Sequence, residues 1–135
     1  MADLPAVVCD THALLYYAGG SARLGRRAAQ HFGACDRRLA LTYVPAAVIW
    51  EVALLARGGR VNLRRTVRSF FDDLFSNPAY QPHDLTAAQI FDADDLRVTR
   101  DPFDALICAC ARDLELPLLT RDVAIVESGV VRTIW

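Results

Sequence analysis

The sequence predicts an α/β domain, with a mainly parallel central sheet of about five strands and helices on both of its faces. Three observations lead there. Short apolar runs such as Ala6 to Cys9 and Leu116 to Thr120 alternate with helix-length segments. No internal repeat or low-complexity stretch interrupts the alternation. The 135 residues are 53% hydrophobic and 23% charged, which argues against disorder and against a linker. That length suits one domain able to bury most of its apolar surface without disulfide or metal staples, so residues 1 to 135 are read as a single folded unit.

Taken in order, Ala6 to Cys9 is a buried strand that ends at Asp10, and Thr11-His12 leads into a helical stretch, Ala13 to Tyr17, before Gly19-Gly20. Further strands are expected at 39 to 44, 80 to 83, 116 to 120 and 130 to 135, the second of these being weak. Helices are expected at 21 to 33, 45 to 57, 62 to 76, 86 to 95, 102 to 115 and 122 to 128. Pro45 suits the first helical position and Gly58-Gly59 supplies a stop. Asp101 serves in the same way as an N-cap, with Pro102 opening its helix. Ligands of open α/β sheets bind beyond the carboxyl ends of the strands, where Asp10 and Asp122 both fall.

Composition removes several function classes. No segment reaches the roughly 18 uncharged residues needed to span a membrane, and the N-terminal residues lack a basic region followed by an apolar run, so a cytoplasmic protein is expected. Cys9, Cys35, Cys108 and Cys110 have no CxxC spacing and read as reduced thiols, three of them inside apolar patterns. No GxSxG, GxGxxG or GxxxxGK[ST] occurs, and His12, His31 and His83 are too scattered for a pattern such as HExxH. A phospho-acceptor signalling domain needs a lysine opposite its acids, and the chain has no lysine. The net charge of -1 gives no global attraction to a polyanion, although Arg57, Arg60, Arg64, Arg65 and Arg68 concentrate positive charge locally.

Four carboxylates stand where charge is costly unless it is paired: Asp10, Glu51, Asp104 and Asp122. Glu51 has the weakest structural excuse, since AAVIWEVALLA carries no other charge and its helical neighbours are Ala47, Val48, Leu54 and Leu55. Asp10 and Asp122 could be N-caps or site residues, and Thr120 lies close enough to Asp122 to add a hydroxyl. Capping accounts for Asp101, but Asp104 sits beside Ile107 and Cys108, which favours a site role. A divalent cation held by these acids is the leading reading. Oxygen ligands alone select Mg2+ or Mn2+ over zinc.

The segments VVCDTHALLYY, VPAAVIWEVALLARGGRVNL, TRDPFDALICACA, LPLLTRD and VRTIW together resemble the PIN-domain ribonucleases, and more narrowly the VapC-type toxins of toxin and antitoxin pairs. The resemblance implies a three-layer PIN-like fold. It also implies that Asp10, Glu51, Asp104 and Asp122 are the metal-binding catalytic acids, with Thr11 and Thr120 flanking them and Asp101 in a supporting or capping position. The chain departs from frequent features of the family at Leu55, Thr99 and Ala105, none of which replaces an acid. The expected activity is Mg2+- or Mn2+-dependent endoribonuclease cleavage of accessible single-stranded or loop RNA. Arg57, Arg60, Arg64, Arg65, Arg100 and Arg121 are candidate RNA contacts. The resemblance further implies a cognate antitoxin protein and a homodimer, and the apolar helix 45 to 57 could supply a partner surface. The alternative is a PIN-like RNA- or protein-binding module without catalysis.

Overall fold

Strands buried on both faces must be apolar throughout, and the centre of the sheet obeys that rule: Val7, Val8 and Cys9 and their neighbours Leu118 and Leu119 are at most 3% exposed. The computed structural model describes residues 3–135; residues 1 and 2, the first of the expected unit, lie outside the described residues. Five strands form one sheet: β1 (Ala6–Cys9), β2 (Leu41–Pro45), β3 (Tyr80–His83), β4 (Leu118–Leu119) and β5 (Thr133–Ile134). All pair in parallel, in the order β3-β2-β1-β4-β5. Seven helices among the described residues complete a three-layer α/β fold, as the sequence predicts.

The helices are α1 (Thr11–Ala18), α2 (Arg26–Asp36), α3 (Ala46–Arg57), α4 (Val67–Phe75), α5 (Ala87–Leu96), α6 (Pro102–Leu114) and α7 (Val123–Ser128). The core joins β1 and β4 to the apolar faces of α3 and α6, through Val48, Val52, Ile107, Cys108 and Ala111. Chain order explains where a site can form. From β1 the chain winds outward through β2 to β3, then returns to place β4 on the other side of β1. The two crossovers diverge at the carboxyl ends of β1 and β4, which leaves a crevice there. Among the described residues no helix is long and apolar enough to cross a membrane.

Several boundaries differ from the sequence expectation for local reasons. The helix expected at 21 to 33 starts at Arg26, because Ser21 accepts from the Arg23 amide in a turn and Gly25 takes the N-cap place. The helix expected at 62 to 76 starts at Val67, after Arg64 adopts a φ of +58° and Thr66 caps through the Ser69 amide. Pro45 is not the first helical residue but the last of β2, opposite His83, and α3 begins after it. The strand expected at 39 to 44 begins at Leu41, since Arg38 turns at a φ of +59° and Leu39 is exposed. The strands expected at 116 to 120 and 130 to 135 contract to two residues each.

Candidate active site

The crevice at the ends of β1 and β4 is a cleft of about 300 Å³ lined by Asp10, Thr11, His12, Tyr16, Glu51, Asp101, Asp104, Ile107, Arg121 and Asp122. All four carboxylates singled out in the sequence reach it. They arrive from four segments: the end of β1, the middle of α3, the first turn of α6 and the loop after β4. The fold thus concentrates charges that are distant in sequence.

Each acid is held by a bond of its own. Asp10 caps α1, its Oδ1 accepting from the Ala13 amide at 2.7 Å. Asp122 caps α7 through the Ile125 amide at 3.0 Å. The Thr11 hydroxyl donates to Oε1 of Glu51, and the Thr99 hydroxyl donates to Oδ2 of Asp104 at 2.9 Å. Thr120, wholly buried, accepts from the Asp122 amide at 3.1 Å, and its hydroxyl favours the ionised form of Asp10. Capping and lining the cleft are compatible for Asp10 and Asp122, because an N-cap commits one oxygen and leaves the second. Asp101 caps α6 through the Phe103 amide at 2.9 Å and stands at the rim.

Crowding of like charge leaves an electrostatic signature. Burial, opposed by the Thr99 bond and reinforced by Asp101, Asp122 and Glu51, pushes the Asp104 carboxyl up to about 6. Burial also raises Asp10, against the lowering effect of the Thr120 hydroxyl, the Ala13 amide bond and the nearby His12, with Asp122 adding repulsion. Among the described residues no arginine forms an ion pair with any of the four. The cleft therefore has a deficit of positive charge. The donor set, carboxylate and hydroxyl oxygen with no thiolate, fits a hard cation. No three acidic, histidine or cysteine side chains among the described residues close into a finished ion cage.

The remaining candidates divide. Arg121 lines the cleft, while Arg100 lies in the adjoining groove of α5 and α6, which shares Asp101 with it. Arg57, Arg60, Arg64 and Arg65 do not line it. Arg57 lies over Trp50, Arg64 lines a groove between α1 and the loop before α4, and Arg65 bonds Ser69 and Asp73. Two cleft-side residues escaped the sequence reading. Thr99 had no signal, because it reaches Asp104 through a loop turn, and Tyr16 looked like one more apolar residue of a helix. The four free cysteines are buried, and burial with the nearby acids pushes Cys108 up to about 12, so it stays a thiol at neutral pH.

A PIN domain family model matches residues 7–127, and the chain belongs to that family. Solved structures share the fold at low identity. VapBC2 of Rickettsia felis bound to a promoter DNA fragment gives a TM-score of 0.67 at 14% identity, covering 96% of this chain and 97% of that one. The VapC20 toxin of Mycobacterium tuberculosis, which cleaves the sarcin-ricin loop, gives 0.66 at 20% identity, covering 93% and 98%. A toxin and antitoxin complex from Klebsiella pneumoniae gives 0.63 at 17% identity, covering 96% of each. No curated protein matches the chain.

Proposed function

We propose that this PIN domain is a metal-dependent endoribonuclease acting as the toxin of a type II toxin and antitoxin pair. The observation that carries the reading is the convergence of Asp10, Glu51, Asp104 and Asp122 on one cleft at the switch point of the sheet. Solved structures that share the fold include a toxin that cleaves the sarcin-ricin loop and a toxin and antitoxin complex, which supports both halves of the reading. The apolar edge that Trp50 and Leu54 leave exposed on α3 supports a protein partner, either the antitoxin or a second copy.

Asp10, Glu51, Asp104 and Asp122 would hold the cation, Mg2+ or Mn2+, and Thr11, Thr99 and Thr120 would keep three of those carboxylates in place. Bound there, such an ion supplies positive charge against the scissile phosphate and lowers the pKa of the attacking water. Asp104, at about 6, is mostly ionised at neutral pH and becomes a worse ligand as the pH falls below that. Ile107, 1% exposed, adds an apolar side chain to the lining of the cleft. The RNA it would cut is single-stranded or looped, where the bases are accessible.

The test is incubation of purified protein with mixed cellular RNA, with and without Mg2+ or Mn2+, beside Asp10→Asn and Glu51→Gln. The reading predicts endonucleolytic fragments only with metal and a loss of at least about a hundredfold in each variant. Equal cleavage by wild type and variants contradicts it. Metal-independent RNA binding without cleavage would move the protein to the class of binding modules.

A further inference from the structure

Resting on the RNA-cleavage reading, we propose that Arg121, pinned by Tyr16, is the subsite that grips the RNA backbone phosphate next to the scissile one. The carboxylate wall of the cleft repels any polyanion, so a substrate needs a fixed cation at its edge. Arg121 is the arginine that lines the cleft. Its backbone is held on both sides: the Thr120 amide donates to the Ile134 carbonyl at 3.2 Å, and the Asp122 amide donates to the Thr120 hydroxyl at 3.1 Å.

An arginine beside five carboxylates would be expected to fold onto one of them, yet Arg121 forms no ion pair among the described residues. Instead its Nη2 donates to the Tyr16 hydroxyl at 3.0 Å, and its Cζ lies 5.2 Å from the Tyr16 ring centre and 6.0 Å from that of Trp135. A guanidinium carries five N–H donors in a rigid fork, so one bond to Tyr16 leaves the others for a phosphate. The anchor itself is braced. Trp135 meets the Tyr16 ring edge-on at 6.2 Å, and it fits because Gly25 has no side chain: a Cβ there would fall 2.4 Å from Trp135 Cδ1. His12, exposed on the same side, lies tilted against Tyr16 at 6.0 Å. The cleft thus has an acidic wall and, at its rim, a cationic and aromatic one. Arg121 touches the substrate; Tyr16 is a positioning residue that acts through it.

The test measures binding of an unstructured fluorescent oligoribonucleotide in Mg2+ buffer across a salt series, with every variant built on Asp10→Asn, alongside cleavage kinetics in the otherwise wild-type chain. Arg121→Ala should weaken binding about tenfold and flatten the logarithmic salt slope by about 0.7. Arg121→Lys should restore the slope but only part of the affinity. In the cleavage assay Arg121→Ala should raise KM while kcat changes less than about threefold. Tyr16→Phe should cost about threefold in affinity alone and nothing further when Arg121 is already alanine, a non-additivity that a merely structural role would not produce. Melting curves check that each variant folds.

The outcomes separate the two claims. Cleavage by wild type with an unchanged affinity and slope in Arg121→Ala overturns the subsite and leaves the nuclease reading. Binding that depends on Arg121, in a protein whose wild type cuts no RNA, overturns the nuclease reading and with it the place beside a scissile phosphate, leaving Arg121 as an RNA contact only. Loss of kcat with unchanged KM and affinity assigns Arg121 to the carboxylate site and overturns the proposal.

Discussion

At the scale of single residues, threonines do much of the positioning: the Thr11 hydroxyl donates to Glu51 and that of Thr99 to Asp104, while Thr120 accepts from the Asp122 amide and favours the ionised form of Asp10. The Thr99 bond pulls down a carboxyl that burial and neighbouring acids raise to about 6. Thr99→Val should therefore lift Asp104 further and move the acidic limb of the kcat/KM profile upward by about half a unit to one unit. A limb that stays in place would show that Asp104 does not set it. Stability gives a second handle. The folded protein holds the Asp104 proton more tightly than the unfolded chain does, since about 6 exceeds the ordinary 3.8. In chelator this group thus costs stability progressively as the pH rises from about 4 to about 6. The melting temperature of Asp104→Asn should gain on wild type across that window and level off above it, whereas a constant difference would contradict the shift.

At the scale of elements, the charges that an apolar context made conspicuous were legible in the sequence. Glu51 stood out because no other charge shares its part of α3, and Asp10 and Asp122 because they end buried strands. The arginine-rich stretch was less legible, because its direction depends on a φ of +58° at Arg64 and on where α4 starts, which turn Arg65 toward Ser69 and Asp73. Two roles overlap at Asp122, cap of α7 and lining of the cleft, and two substitutions part them. Asn caps as well as Asp does but carries no charge. Asp122→Asn should keep the melting temperature within about a degree or two while abolishing metal-dependent cleavage, and Asp122→Ala should in addition cost about 1 kcal/mol of stability. If denaturant melts give the two variants equal stability, the Ile125 cap contributes nothing.

At the scale of the whole molecule, the sheet order β3-β2-β1-β4-β5 is what turns four scattered acids into one cleft, since it sets the ends of β1 and β4 side by side. Alternating strands and helices made the fold class readable. The contact of Arg121 with Tyr16 was not readable, because it joins residues 105 apart and exists only once β4 lies beside β1. Apart from any RNA, the acids should behave as one cation site that stabilises the fold when filled. The direct test is calorimetric titration of Mn2+ into wild type, Asp10→Asn, Glu51→Gln, Asp104→Asn and Asp122→Asn at about pH 7.5, with folding checked for each. Wild type should bind Mn2+, and each substitution should weaken that binding by about tenfold or more. Wild type that is folded and binds no Mn2+, or binding that survives any one of the four substitutions unchanged, would contradict a single cation site.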